Sequence, residues 1–310
     1  MVLDVTYYLN RSTFIFDTTR NINLVDPNIA YQYKDAVNQQ VPNPFYNILS
    51  VEKFPGPLRY QQTVSISSLM KPYPQYGDLN VIDGQPGGDM KYQSLQLRLQ
   101  KNFTKGYSFL FGYNYHYERD QRFFNDIDVF AQQYTWIDSP SSRHRITFAG
   151  AWEVPVGRGR PFLSGAPRIL DALFGGWSVS PIITWRSGRF LQFDGMVVNG
   201  DPRIDNPTPE RWFNTDAFSR LPDYTPRTNP WLYSGLTAPG MFNMDASLVK
   251  SFAITERFRF ALRMDSFNVL NNMTWADPDT NVNSSTFGTS TDILSNTFGR
   301  RTQLGLRVEF

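Results

Sequence analysis

The stretch Tyr107-Ser-Phe-Leu-Phe-Gly-Tyr-Asn-Tyr-His-Tyr117 decides how this chain is read. Its odd positions, Tyr107, Phe109, Phe111, Tyr113, Tyr115 and Tyr117, are all aromatic, while Ser108, Gly112, Asn114 and His116 fall between them. A period of two sends successive side chains to opposite faces of a β-strand. One face of this strand suits lipid and the other water, and the run is as long as the roughly 9 to 11 residues with which a tilted strand crosses a bilayer.

The same pattern extends outward in both directions. Leu95, Leu97 and Leu99 alternate with Gln96, Arg98 and Gln100, and the joint Asn102-Phe-Thr-Lys-Gly106 is short enough for a hairpin. A second pair runs through Ile146, Phe148, Gly150, Trp152 and Val154, then Trp177, Val179, Pro181, Ile183 and Trp185, with Arg145, Thr147, Glu153, Ser178, Ser180 and Arg186 on the opposite faces. Pro181 removes a ladder donor, which predicts a bulge or local irregularity. In the joint between these runs, Ile169, Leu170 and Leu173 predict one or two helical turns. A third pair sets Phe242, Met244, Ala246 and Leu248 against Phe258, Phe260, Leu262 and Met264 across the tight joint Ile254-Thr-Glu256. Leu3, Val5, Tyr7 and Leu9 mark a first strand, and Leu304, Leu306, Val308 and Phe310 a last one. The expectation is an all-β, antiparallel transmembrane barrel segment of about eight strands over residues 1–310.

Composition supports this. Aromatic residues make up 15% of the chain, with 25 Phe, 16 Tyr and 7 Trp, while mean hydropathy is negative. Aromatic girdles and a polar lumen need this combination. No run approaches the ~18 consecutive apolar residues of a membrane-crossing helix. The balance of 30 basic against 28 acidic residues, net +2, provides no field for nucleic acid, and none is expected as a partner. Absence of cysteine removes disulfides and thiolate sites.

Joint lengths orient the strands, because such barrels carry short periplasmic turns and long extracellular loops. Short joints follow Asn102, Val154 and Phe252; long ones follow Asn10, Tyr117, Ser187 and Leu270. This places the chain in the bacterial outer membrane with its C-terminus periplasmic. The long joints are rich in Asn, Asp, Pro, Ser and Gly and are expected to be loops with little internal structure, apart from a local strand around Gln61 to Ser67. The N-terminus lacks a basic region, apolar region and cleavage site, so an exported chain of this kind is expected to be either a fragment or a gene product that lost its start.

The terminal strand Gln303-Leu-Gly-Leu-Arg-Val-Glu-Phe310 is the most specific single signal. Gln303, Gly305, Val308 and Phe310 have the spacing of an insertion signal, read by the barrel-assembly machinery on an edge strand left open for pairing. Outer-membrane lipid is the partner expected of the apolar face.

Several segments resemble a known family. Asp245-Ala-Ser-Leu-Val-Lys-Ser-Phe252 followed by Arg263-Met-Asp-Ser-Phe-Asn-Val-Leu-Asn-Asn272 is similar to the last barrel strands of TonB-dependent outer-membrane receptors, and more narrowly to the Oar-like receptors with a carboxypeptidase-regulatory-like domain. Gln40-Val-Pro-Asn-Pro-Phe45, Leu69-Met-Lys-Pro-Tyr-Pro-Gln-Tyr76, Tyr92-Gln-Ser-Leu-Gln-Leu97, Gly175-Gly-Trp-Ser-Val-Ser180, Arg186-Ser-Gly188 and Trp212-Phe-Asn-Thr-Asp-Ala-Phe218 carry the resemblance along the chain. It implies a 22-stranded barrel closed by a plug and driven by the TonB complex. Signal peptide, TonB box, regulatory domain and plug are not in this sequence, so TonB is expected to act only through regions missing here. The function implied is binding and uptake of a nutrient, carbohydrate or peptide; the alternative is a non-transporting surface protein for adhesion or assembly.

No enzymatic activity, cofactor or metal site is expected. Of the two histidines, parity puts His116 on the lumen face and His144 on the lipid face, and a hydrolase would need one beside a nucleophilic serine and an orienting group. Asp277-Pro-Asp279-Thr-Asn281 has calcium-loop spacing at its start, but Val282 and Gly288 stand where the turn glycine and bidentate acid belong, so Asx-turns are the better reading. Gly157-Arg-Gly-Arg-Pro161 reads as a solvated joint rather than a phosphate cradle. Among the many loop rings, Trp136, Trp212, Trp231 and Trp275 are the candidates for ligand contact. The alternative is that these rings pack the loops over the barrel mouth or extend the outer aromatic girdle.

Overall fold

The computed structural model describes residues 1–15, 21–48, 50–53, 56–80, 87–253, 258–295 and 297–309. Long strands form wherever the alternation runs: β1 (Val2–Ser12), β2 (Met90–Thr104), β3 (Tyr107–Arg122), β4 (His144–Glu153), β5 (Trp177–Arg186), β6 (Met241–Ala253), β7 (Arg259–Phe267) and β8 (Arg301–Glu309). They pair antiparallel in chain order within a nine-stranded sheet, whose remaining member, Thr135–Asp138, extends the far end of β3. Among the described residues no pairing joins β1 to β8, so the sheet is an open wall. No described helix is long and apolar enough to cross a membrane.

Register carries the alternation across the whole wall. Val5 stands opposite Leu97, Leu97 opposite Tyr113, Tyr113 opposite Ile146 and Ile146 opposite Trp185. Trp185 meets Phe242, while further along Leu248 meets Met264 and Met264 meets Leu304. A one-residue slip at any pair would move polar side chains onto this face, so the apolar parity itself selects the register. Thr6, Gln96, Asn114, Arg145 and Arg186 line up on the other side.

Pro181 interrupts the ladder without bulging it. Pairing of β4 with β5 lapses between Ala149↔Ile182 and Trp152↔Val179 and resumes in the same register, and on its other side Pro181 stays opposite Ala246. The missing N–H therefore costs local pairing while leaving the alternation intact.

The wall buries little within itself. Among the described residues, every apolar side chain that is fully buried lies in the joints, and none lies in β1 to β8. A single sheet offers both faces to its surroundings, so neither face of the wall can bury its own side chains.

At one end of the wall β2 turns into β3 through Lys105 and Gly106, both with positive φ. The joint after Val154 differs from the expected short one. It spans 154–176, longer than 123–143 at the opposite end, and contains the helix Arg168–Phe174. Its length is taken up by folding back: the Asp171 carboxylate accepts the Arg158 N–H at 2.7 Å, and Gly157 N–H donates to the Phe162 carbonyl. The helical turns expected from Ile169, Leu170 and Leu173 are present. The joint Ile254-Thr-Glu256 lies outside the described residues.

At the other end run the long joints 13–89, 123–143, 187–240 and 268–300. They are far more structured than their composition suggests. The strand expected near Gln61–Ser67 is Thr63–Ser65, paired with Gln40–Pro42. The third joint holds two small hairpin sheets, Phe190–Gln192 with Leu232–Thr237 and Met196–Val198 with Phe218–Arg220.

Candidate ligand-binding loop surface

Burial of aromatic side chains fixes the loops. Phe193 and Phe213 are 0% exposed and Met196 1% exposed; Leu191, Ala217, Phe218, Leu236 and Ala238 complete their cluster. Phe287 enters from the fourth joint, 5.2 Å from Phe213 and 5.8 Å from Phe218 between ring centroids. Backbone bonds accompany it, Trp212 N–H to the Gly288 carbonyl at 2.8 Å and Ser290 N–H to that of Pro209 at 2.7 Å.

Motif residues of this region act as structural staples. A Cβ on Gly188 would stand 1.7 Å from the Ala238 carbonyl oxygen, so no side chain fits where β5 leaves the wall. Asn268, 3% exposed and left-handed at φ 52, donates from Nδ2 to the carbonyls of Asn272 and Phe298, both at 2.8 Å. Its own N–H reaches the Asp245 carboxylate at 2.8 Å. Asparagine tolerates this backbone region better than most residues.

The loops also lock to one another. Tyr31 of the first donates to Asp126 of the second, and burial together with that carboxylate pushes the Tyr31 phenol well up. Tyr224 of the third joint donates to Asp35 of the first at 2.9 Å. Asn125 of the second reaches the Arg227 carbonyl of the third, and Arg189 pairs with Asp277 of the fourth.

The four candidate tryptophans have different positions. Trp212 packs against the loop core, its Nε1–H donating to the Thr237 carbonyl at 2.7 Å. Trp275 is 41% exposed on the fourth loop and bridges to Ile293. Trp136 and Trp231 come together, lining with Phe124, Asp138 and Pro230 one cleft of about 240 Å³ between the second and third loops. Lys91 Nζ sits 4.4 Å from the Trp136 ring centroid and Arg227 Cζ 3.6 Å from that of Trp231. Sequence reasoning missed the polar side of this cleft. There Asp138 accepts from Tyr117 Oη at 2.9 Å and pairs with Arg119 at 3.1 Å and Arg143 at 2.9 Å. Ring faces beside oriented charges can take a sugar ring or a peptide side chain.

The remaining sequence candidates are placed as follows. Gln303, Gly305 and Val308 lie on β8 opposite Asp265, Arg263 and Phe260, with Leu304 78% exposed beside them; Phe310 is outside the described residues. His116 falls on the polar face opposite Ser94 and His144 on the apolar face opposite Tyr115, as parity requires. Asn281 N–H donates to the Asp279 carboxylate, and Asn283 N–H to the Asn281 side chain, so the supposed calcium loop is a pair of Asx-turns. Among the described residues no His, Asp and Glu grouping could hold a metal ion.

An antiparallel wall with one apolar and one polar face, crowned at one end by interlocked loops, is the architecture of a membrane β-barrel protein. Residues 1–303 match the family model described as outer membrane beta barrel domain, and the chain belongs to that family. Its place is the bacterial outer membrane. No curated protein matches the chain.

Proposed function

We propose that the chain forms part of the barrel wall and the outer loops of a TonB-dependent, Oar-like receptor that binds a carbohydrate or peptide nutrient for uptake. The observation that carries this reading is the meeting of Trp136 and Trp231, from separate loops, in one cleft at the loop end of the wall. The resemblance of the segments around Asp245–Phe252 and Arg263–Asn272 to receptor strands supports it. On this reading the loops face outward, the C-terminal strand is periplasmic, and the β8 edge pairs first with the assembly machinery and then with another strand of a 22-stranded barrel. TonB contact belongs to sequence outside this chain. No enzymatic step is assigned: His116 Nε2 meets Ser141 Oγ at 3.1 Å, yet no carboxylate orients the ring among the described residues.

The test is uptake in whole cells across a panel of labelled oligosaccharides and peptides, with and without a protonophore. Replacing residues 187–240 by a flexible linker should abolish energy-dependent accumulation while the protein still reaches the outer membrane. Unchanged uptake would sink the receptor reading. Loss of cell–surface attachment with no uptake by the native protein would favour the adhesion alternative.

A further inference from the structure

At the end of the wall where β2 turns into β3, the helix Arg168–Phe174 lies on the apolar side. Two contacts put it there. Trp177 Nε1–H donates to the Leu173 carbonyl at 3.0 Å, and Lys250 Nζ donates to the Gly175 carbonyl. Trp177 and Lys250 stand opposite each other on the apolar parity of β5 and β6, and Lys250 Nζ lies 5.3 Å from the Trp177 ring centroid and 4.9 Å from that of Phe252. Aromatic residues at this height mark the headgroup level of a bilayer. The helix turns Ile169, Leu173 and Phe174 outward, 76%, 59% and 53% exposed. Seven residues cannot cross a membrane, but apolar side chains so placed reach the headgroup–acyl boundary.

Beside the helix, at the ends of β5 to β7, is a cavity of about 670 Å³ lined by Arg158, Arg160, Arg168 and the acidic Asp171 of the joint, with Ser251 and Arg259 of the polar parity on the wall. Arg160 is engaged by Glu153 at 2.9 Å. Arg158, Arg168 and Arg259 have no ion pair among the described residues. The Gly157-Arg-Gly-Arg-Pro161 joint is thus held against the helix with guanidinium charge to spare. Planar guanidinium groups match phosphate oxygens in geometry as well as charge.

We propose that this cavity binds the phosphate headgroup of an anionic phospholipid, whose acyl chains run past Ile169, Leu173 and Phe174 along the apolar face. The charge complementarity selects a phosphate, and the adjoining apolar side chains select a lipid over the free ion. Lys250, covered by Trp177 and Phe252, fixes the helix at the height where that headgroup lies.

The experiment uses the full chain purified from outer membranes in mild detergent, with retained lipid read by native mass spectrometry. Phosphatidylglycerol should remain bound where phosphatidylcholine washes off, and raising salt should erase the difference. Each of Arg158→Gln and Arg168→Gln should weaken phosphatidylglycerol retention about fivefold, the equivalent of about 1 kcal/mol per basic residue. Ile169→Ser with Leu173→Ser should weaken it as well. Equal retention of both lipids by the native chain at low salt would overturn the proposal, as would unchanged retention in folded arginine variants. Displacement of phosphatidylglycerol by equimolar inorganic phosphate would overturn it in favour of a plain phosphate site.

Discussion

Phe213 and Phe287 meet edge to face, 5.2 Å between centroids at an interplanar angle of 70°, although one belongs to the loop between β5 and β6 and the other to the loop between β7 and β8. This contact makes two connections of the wall into one folded body. A loop pair with its own buried aromatic core holds its shape at this end of the wall.

Phe213→Ala should therefore free both loops while leaving the wall in place. Removing a fully buried phenylalanine costs about 3 to 5 kcal/mol. Limited proteolysis should show new cleavage within 187–240 and 268–300 together, with the strands still protected. Cleavage in one loop alone would mean that they do not fold as a unit.

Gly288 is the backbone hinge of the same contact. Its φ is +81, and a Cβ there would stand 2.3 Å from the Thr215 methyl. Gly288→Ala should destabilise the loop pair by roughly 1 kcal/mol or more, since both conformation and space oppose it. Adding Thr215→Ser should recover part of the loss, and hydrogen exchange at Trp212 N–H, which bonds the Gly288 carbonyl, measures both.

Acid should loosen the fourth loop. Burial acts to raise the Asp279 carboxyl, but hydrogen bonds from Ser284, the Asn281 N–H and Thr286 outweigh it and hold the group below its ordinary 3.8. A depressed pKa means stability present in full above pH 3.8 and lost as pH falls through the lower folded value. Amide protection at Asn281 and Thr286 should drop over that interval. In Asp279→Asn the protection should be weaker at neutral pH and insensitive to acid.

The two faces of the wall should respond oppositely to charge. Ile183, flanked by Phe148 and Met244, faces lipid, and Thr184, flanked by Thr147 and Asn243, faces the other way. Ile183→Lys should cost about 2 to 4 kcal/mol if near mid-bilayer and lower the assembled fraction, while Thr184→Lys should cost under about 1 kcal/mol. Heat-modifiable migration in electrophoresis reports the assembled fraction. Equal effects at both positions would contradict the assigned faces.

If the cleft between the second and third loops binds ligand, Trp136→Ala and Trp231→Ala should each weaken it by about 2 kcal/mol, or roughly thirtyfold in Kd. Trp275→Ala, on the exposed fourth loop, should change little. Calorimetry against the nutrient found by the uptake panel separates the two outcomes.

Alternation of side chains was enough to place the wall. Runs such as Tyr107–Tyr117 and Leu304–Val308 reveal strands, faces and register, because a period of two is a local property and a slip would turn apolar residues away from lipid. The motif around Asn268 was legible as a signature but not as a reason; its left-handed backbone and bonds to Asn272 and Phe298 emerge only when the strand ends are brought together.

Composition alone predicts largely structureless loops, and there the tertiary structure decides. Phe193, Phe213 and Phe287 are separated along the chain by polar, proline-rich segments with no period, so nothing local shows that they share a core. The same holds for Trp136 with Trp231, and for Arg158 with Arg259. The sequence by itself determined a two-faced antiparallel wall, since pleating ties each side chain's direction to its position. Which rings and charges meet at its two ends was decided only by the folded chain, since those contacts join segments from different loops, and local pattern carries no record of long-range closure.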